Sequence, residues 1–306
     1  MKIYTLTLNP AYDVHASVDA LKPYHENLAQ IHSREAGGKG VNISRALTAN
    51  RIPNQAVIVL GMENGAEFRD AVSQMDCVFL EMPGRIRENY TFHSVDTPET
   101  RISFSGFPMT DGILEQVEAL LQIAEGTIVT FTGRVPTGMG MEAVMAFLRR
   151  LQDRGAKIVL DSKSFSLEDI YALRPWLIKP NQEEISDYFR CSVENIPDAA
   201  EKARVFRDNG VENVMISLGE QGALLHSSAG SWIAVPPAIT AVSTIGAGDS
   251  TIAGFLAAAS ASRSPEDCLR YAVAYGTAAC LTAGSQPPMM QDVNAFLPQI
   301  ILKPLS

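Results

Sequence analysis

Cysteine is scarce in this chain and scattered where it occurs. The four residues, Cys77, Cys191, Cys268 and Cys280, form no Cys-x-x-Cys pair and have no His at zinc-ligand spacing, which argues against a zinc motif and fits free thiols in a reducing cytoplasm. A basic block is also missing. Net charge is −9 with acids and bases interspersed, so neither nucleic acid nor an anionic membrane is expected as a partner. No stretch reaches the roughly 18 uncharged apolar residues needed to span a bilayer. The opening Met1–Leu8 alternates like a strand and is too short and polar for a signal peptide. There is no low-complexity tract and no internal repeat.

What is present is a hydrophobic fraction of 46% over 306 residues, enough for one large α/β domain with a sizeable core. From residue 112 onward helical and strand patterns alternate: helix 112–124, strand 127–131, helix 140–153, strand 157–160. This is the rhythm of a doubly wound, mostly parallel sheet. Two other stretches break it. Residues 14–34, and later 84–104 around a turn at Thr97-Pro-Glu99, alternate without helical periodicity. Together they predict a small β-sheet lid, built from insertions at about 12–35 and 86–106, within a single domain spanning 1–306.

The chemistry concentrates in Ser243-Thr-Ile-Gly-Ala-Gly-Asp249-Ser, which runs into an Ala-rich helical stretch. A helix start carries unpaired N–H groups and partial positive charge, and Gly246 and Gly248 leave it open to an anion. A carboxylate there suits proton removal from a hydroxyl attacking a phosphoryl group. An ordinary glycine turn with Asp249 as a cap is the alternative. A second glycine cluster, Gly37-Gly38-Lys39-Gly-Val-Asn42, precedes another helix; Lys39 is followed by Gly40 rather than Ser or Thr, so it is not a P-loop, and a sugar or phosphosugar site is expected. Asp13, after the first strand, either binds a sugar hydroxyl or closes a turn. Arg87 either forks onto a substrate phosphate or is a solvated charge.

Asn181 and Glu184 have the spacing of a capping box, and equally that of two groups presenting oxygens to hydrated Mg²⁺. Ser217-Leu-Gly219-Glu-Gln-Gly222 is a glycine-lined turn where a nucleotide can lie. The small-residue helix over 268–283, which contains Ala279, leaves either a slot for a planar base or tight helix packing. Gly138-Met-Gly140-Met-Glu-Ala143 mimics a dinucleotide fingerprint, but Thr132–Pro136 separates it from the preceding strand, so an NAD site is not expected.

Taken together, Thr7–Asp13, Gly37–Asn42, Lys179–Glu184, Ser217–Gly222 and Ser243–Ser250 occur in the order found in the ribokinase-like carbohydrate kinases, and the sequence resembles the phosphofructokinase B branch over essentially its whole length. The resemblance implies ATP-dependent phosphorylation of a sugar hydroxyl. It makes Asp249 the general base and the N–H groups of Gly246, Ala247 and Gly248 an anion hole. Asp13, Gly38, Lys39, Asn42 and Arg87 would hold substrate. Lys179, Asn181, Ser217, Gly219, Gly222, Gly248 and Ala279 would line the nucleotide, with Mg²⁺ held through water by Asn181 and Glu184.

Ser-Thr-Ile before Gly246, together with Arg87-x-Asn89, points toward the 1-phosphofructokinase and tagatose-6-phosphate kinase members, with fructose 1-phosphate to fructose 1,6-bisphosphate as the leading reaction. Another sugar or nucleoside kinase, or a non-catalytic sensor, are the competing readings. The resemblance departs at Gly133-Arg-Val-Pro-Thr-Gly138 and Asp161-Ser-Lys-Ser164, which add Arg134 and Lys163 on the sugar side. The exposed lid predicts a homodimer, with no nucleic acid and no membrane partner.

Overall fold

A computed structural model describes residues 1–94 and 99–305; Thr97 and Pro98 of the expected turn lie outside the described residues. The chain opens with β1 (Ile3–Thr7), β2 (Ala11–Ser17), β3 (Gln30–Gly37), α1 (Lys39–Ala49), β4 (Gln55–Gly61), α2 (Gly65–Ala71), β5 (Cys77–Met82), β6 (Arg87–His93) and β7 (Thr100–Ile102). It continues with α3 (Gly112–Leu120), β8 (Ile128–Thr132), α4 (Met141–Asp153), β9 (Lys157–Asp161), α5 (Leu167–Leu173), β10 (Leu177–Ile178), α6 (Gln182–Phe189), α7 (Ile196–Asp208) and β11 (Asn213–Ser217). The hairpin β12 (Ala223–Ser227) and β13 (Gly230–Val235) leads to α8 (Ala247–Ser260), α9 (Pro265–Ala279), α10 (Met290–Phe296) and β14 (Ile301–Pro304).

Ten strands form the main sheet in the order β14-β13-β12-β11-β10-β9-β8-β1-β4-β5. From β11 to β5 every pairing is parallel, and β12, β13 and β14 add an antiparallel margin. Central strands such as β1 and β4 are buried on both faces, as a sheet covered by helices on both sides requires. Alternate residues divide accordingly: Ile3, Ile128 and Met215 pack with α1, α8 and α9, whereas Leu6, Phe131 and Ile216 join the core that includes α3, α4 and α7. Strand order reverses beside β1, with β4 on one side and β8 on the other. Open α/β sheets bind ligands at the carboxyl ends of strands flanking such a reversal.

Local signals explain where several helices begin. Ser166 and Asn181 open α5 and α6 with reciprocal capping boxes. Ser264 caps α9, with Pro265 in the first turn. That helix starts three residues before the apolar pattern suggested, and it stops at Ala279 rather than 283. Among the described residues no helix is long and apolar enough to cross a membrane.

The second sheet has four strands in the order β3-β2-β6-β7. Its central pair, β2 and β6, is parallel, with Asp13 opposite Asn89 and Ser17 opposite His93. Tyr12 anchors the sheet to the body: its hydroxyl donates to the Asn64 carbonyl at 2.7 Å, and its ring meets Phe68 edge-on at 5.5 Å. The first insertion extends past its expected end near 35: β3 runs from 30 to 37, directly into α1.

Candidate active site

At the carboxyl end of β1 the backbone has no room for side chains. A β-carbon on Gly38, whose φ is +117°, would approach Thr7 Cγ2 at 2.9 Å, and one on Gly37 would collide with the Asp13 carboxylate. These glycines therefore let α1 begin against the strand end and turn Lys39 and Asn42 inward. Lys39 Nζ donates to Asp161 Oδ2, at the end of β9, at 2.8 Å. Burial works against the lysine's charge, yet the carboxylates of Asp161, Asp249 and Glu184 raise its pKa above the ordinary value. Burial likewise opposes ionisation of Asp161, but Lys179 and Lys39 outweigh it and hold the carboxyl below its usual range.

Asp249 lies in the first turn of α8, whose N-cap, Gly246, is left-handed with φ +76°. Asn42 Nδ2 donates to Asp249 Oδ2 at 2.9 Å, joining the two glycine clusters across 207 residues. Burial, reinforced by the charge of Asp161, pushes the Asp249 carboxyl up to about 6 against the pull of Lys39, Asn42 and Lys179. A carboxylate poised there takes a proton near neutral pH far better than an ordinary one. The N–H of Ala247 turns back to the Thr244 carbonyl at 3.3 Å, and those that follow belong to a helix start. A β-carbon at Gly248 would lie 3.4 Å from Lys179 Nζ, so the ammonium stands over this loop. Amides, ammonium and carboxylate thus converge as an anion site beside a base.

On the small sheet, Asp13 Oδ1 accepts from Asn89 Nδ2 at 3.1 Å and from Arg101 Nη2 at 2.8 Å. Arg87 spends its guanidinium on the carbonyls of Phe104 at 2.8 Å and Asn9 at 3.4 Å, while its buried Nε has no partner. Burial, and then the like charge of Arg101 and Arg134, lower its pKa against the attraction of Asp13. The arginines gather where a dianionic group would neutralise them.

Asn181 and Glu184 do form the capping box: Asn181 Oδ1 accepts from the Glu184 amide at 2.8 Å, and Glu184 Oε2 from the Asn181 amide at 3.0 Å. The other Glu184 oxygen lies 3.7 Å from Lys163 Nζ. Glu184 and Asp161 line one small cavity with Ser162 and Tyr188. An isolated bridge pairs Asn181 with Ser217, and the turn beyond has left-handed Gly219 and Gly222, the latter pressed against the Ala234 carbonyl. Ala279, the last residue of α9, is 1% exposed and presents almost no surface to a ligand. The glycine pair at 138 and 140 begins α4 after a loop, and the Gly140 amide donates to Asp111 Oδ1 at 2.8 Å, so no tight strand-to-helix turn exists there.

Arg101, Asn89 and Asp161 join the site although the sequence reading did not assign them. For Asn89 and Arg101 the signal was strand register: Asn89 sits opposite Asp13, and Arg101 opposite Thr91, on the same face. Register becomes readable only once the pairing of the two insertions is known.

The pfkB family carbohydrate kinase model matches residues 7–292. The chain belongs to that family. It is a phosphotransferase with a hydroxyl acceptor and ATP as donor, which is the chemistry the convergent anion site and base can perform. It is 30% identical to the 1-phosphofructokinase of Escherichia coli K12, across 100% of this chain and 99% of that one. With the 1-phosphofructokinase of Bacillus subtilis it shares 29%, covering 97% and 98%. The solved phosphofructokinase-2 of Escherichia coli in complex with substrates and products superposes with a TM-score of 0.91 at 26% identity, over 98% and 99% of the two chains. A ribokinase from Thermotoga maritima, at 20% identity and TM-score 0.78 over 97% and 99%, shares the fold.

Proposed function

We propose that this enzyme phosphorylates fructose 1-phosphate to fructose 1,6-bisphosphate. The observation that carries the chemistry is the Asn42–Asp249 hydrogen bond at the anion-binding start of α8, with the carboxyl raised to about 6. Asp249 takes the proton of the acceptor hydroxyl as its oxygen bonds to the γ-phosphorus. The bond from that phosphorus to the β,γ-bridging oxygen breaks, and ADP leaves with the electron pair. Amides at Gly246 and Gly248, with Lys179 above them, neutralise the transferring group, and the Ala247 amide joins them by giving up its 3.3 Å bond to the Thr244 carbonyl. Lys39, fixed by Asp161, and Asn42 orient the sugar beside Asp249; Asp13 accepts from its hydroxyls, and Gly38 lets it lie on the backbone. Arg87 and Arg101, joined by Arg134 from the atypical loop, meet the substrate phosphate.

The choice of substrate is supported by the curated 1-phosphofructokinases matched along the full chain. Fructose 6-phosphate and tagatose 6-phosphate are the competing acceptors.

The nucleotide lies along Lys179, Asn181, Ser217 and the Gly219–Gly222 turn. Mg²⁺ fits beside it: capping consumes only one Glu184 oxygen and one lone pair of Asn181, leaving acceptors for the water shell that this ion keeps. When bound, Mg²⁺ neutralises phosphate charge. The small sheet acts as a lid on the sugar side of the single domain, and its exposed face pairs with a second copy. Four unpaired cysteines suit a reducing, cytoplasmic setting.

The deciding experiment measures ADP release from Mg·ATP with fructose 1-phosphate, fructose 6-phosphate, tagatose 6-phosphate and unphosphorylated ketoses in parallel. Fructose 1-phosphate should give the highest kcat/KM, and Asp249→Ala should abolish the signal. A different winner would reassign the substrate, and no ADP from any acceptor would refute the kinase reading.

A further inference from the structure

Four of the five histidines sit in the region of β2, β3 and β6, and two of them meet. His15 Nδ1 and His93 Nε2 are 3.2 Å apart. Their ring centroids are separated by 5.5 Å with planes at 18°, about the nitrogen–nitrogen distance plus one ring radius at each end, so the imidazoles face each other edge to edge. Register explains the meeting: Ser17 is opposite His93 and Thr91 opposite His15, which puts both histidines on the same face of adjacent parallel strands. On the other side β7 runs antiparallel to β6, with Thr100 opposite Phe92. Continuing that register by one residue brings Glu99 opposite His93. The donor atoms of His15, His93 and Glu99 all lie within 4.8 Å of one another.

We propose that His15, His93 and Glu99 form a binding site for a zinc-class transition-metal ion on the small sheet, joining β2, the end of β6 and the approach to β7. Two nitrogens ligating zinc tetrahedrally stand roughly 3.3 Å apart, close to the observed separation. Two imidazoles with one carboxylate suit zinc and its neighbours rather than Mg²⁺ or Ca²⁺, which select oxygen. His15 is 7% exposed, and its Nε2 is buried without a hydrogen-bond partner. Such an edge is costly to leave bare. With the metal on Nδ1 the proton resides on Nε2, on the side of the sheet that meets Gly284 and Glu35: the point where Gly284 would carry a β-carbon lies 3.2 Å from His15 Nε2 and 3.5 Å from a Glu35 oxygen. Three protein ligands leave a fourth position for water.

The location gives the ion a lever on the kinase. Asp13 is two residues before His15 on the same strand face. Glu35 accepts from Ser285 Oγ and Gln286 Nε2, each at 3.0 Å. That loop faces the helix start, since a β-carbon on Gly246 would lie 3.5 Å from Ser285 Cα. An ion at the histidines thus stiffens the contact between the small sheet and the anion loop.

The test uses the full-length, untagged enzyme titrated with Co²⁺, read by its visible d–d bands, and with Zn²⁺ by calorimetry. One equivalent should bind, with no thiolate-to-cobalt charge transfer. Outer-sphere partners alone are worth 10- to 100-fold in metal affinity, so removing a ligand by His93→Asn should weaken binding by about 100-fold or more. Glu99→Gln should weaken it at least about tenfold. His32→Ala, whose imidazole is bonded to Ser17 outside the triad, should leave the titration unchanged, as should Asp249→Asn in the active site. His93 and Glu99 are surface residues, so these variants are expected to fold, and their melting temperatures without metal should match the parent. Absence of a stoichiometric ion in the parent, an unchanged spectrum in His93→Asn, or loss of binding on Asp249→Asn would each overturn the assignment.

Discussion

Burying Asp249 next to Lys39 and Asp161 sets activity against stability at a single atom pair. With its carboxyl raised from 3.8 to about 6, the folded state binds the proton more tightly than the unfolded chain does. The sign follows: the contribution of this group is favourable below pH 3.8 and is lost as pH rises through about 6, so at neutral pH the ionised carboxylate costs on the order of 1–3 kcal/mol. Asp249→Asn keeps an acceptor for Asn42 and removes that cost. The variant should melt at a higher temperature than the parent at pH 7.5 by differential scanning calorimetry, while kcat falls by about 10²–10⁴. In the parent, kcat/KM should decline on the acid side with an apparent pKa near 6. A variant no more stable at pH 7.5, or a flat acid limb, would mean that the carboxylate is better solvated than its burial implies. Asp249, Asn42 and the glycines were legible because each is tied to a local backbone need, a helix start without side chains. Asp161 and Arg101 were not, because their roles come from partners 122 and 88 residues away.

Elements were legible where period and caps agreed. The parallel strands around β1 read as apolar runs, and the capping residues Asn181 and Ser166 mark helix starts in the sequence itself. Less legible were β14, four residues paired only to β13, and the shift of β3, whose polar outer half carries little alternation. The α8–α9 pair shows how one element resolves a choice the sequence left open between a ligand slot and tight packing. A β-carbon on Gly254 would come within 2.5 Å of the Tyr271 carbonyl and 2.8 Å of Tyr275 Cβ, so the helices touch backbone to backbone. Gly254→Ala removes a helix-interior glycine, which alone would gain up to about 1 kcal/mol. Neither the carbonyl nor the packed tyrosine can move aside, and overpacking costs about 1–3 kcal/mol. The net expectation is a loss of up to about 2 kcal/mol in urea unfolding, and a gain would show that α9 can slide.

At the scale of the molecule the small sheet is unlike the body. The main sheet hides its strands between two layers of helices, whereas the region around β2, β3 and β7 exposes Tyr24, Leu28 at 93%, Ile31 at 60%, Ile102 and Phe104. Apolar side chains at that exposure on one small sheet and its loops are unfavourable in water, and a second copy docked there would cover them. Sedimentation velocity at micromolar concentration should therefore show a dimer, and Leu28→Glu combined with Ile31→Glu should yield monomer by burying like charges against each other. Because β2 carries Asp13 and β7 carries Arg101, the monomer should bind the phosphosugar more weakly, with KM for the acceptor rising more than KM for ATP. A parent that sediments as a monomer would refute the pairing. A monomeric variant with unchanged KM would mean that the lid is ordered by its own anchors, Tyr12 on Phe68 and Glu35 on Ser285, without help from a partner.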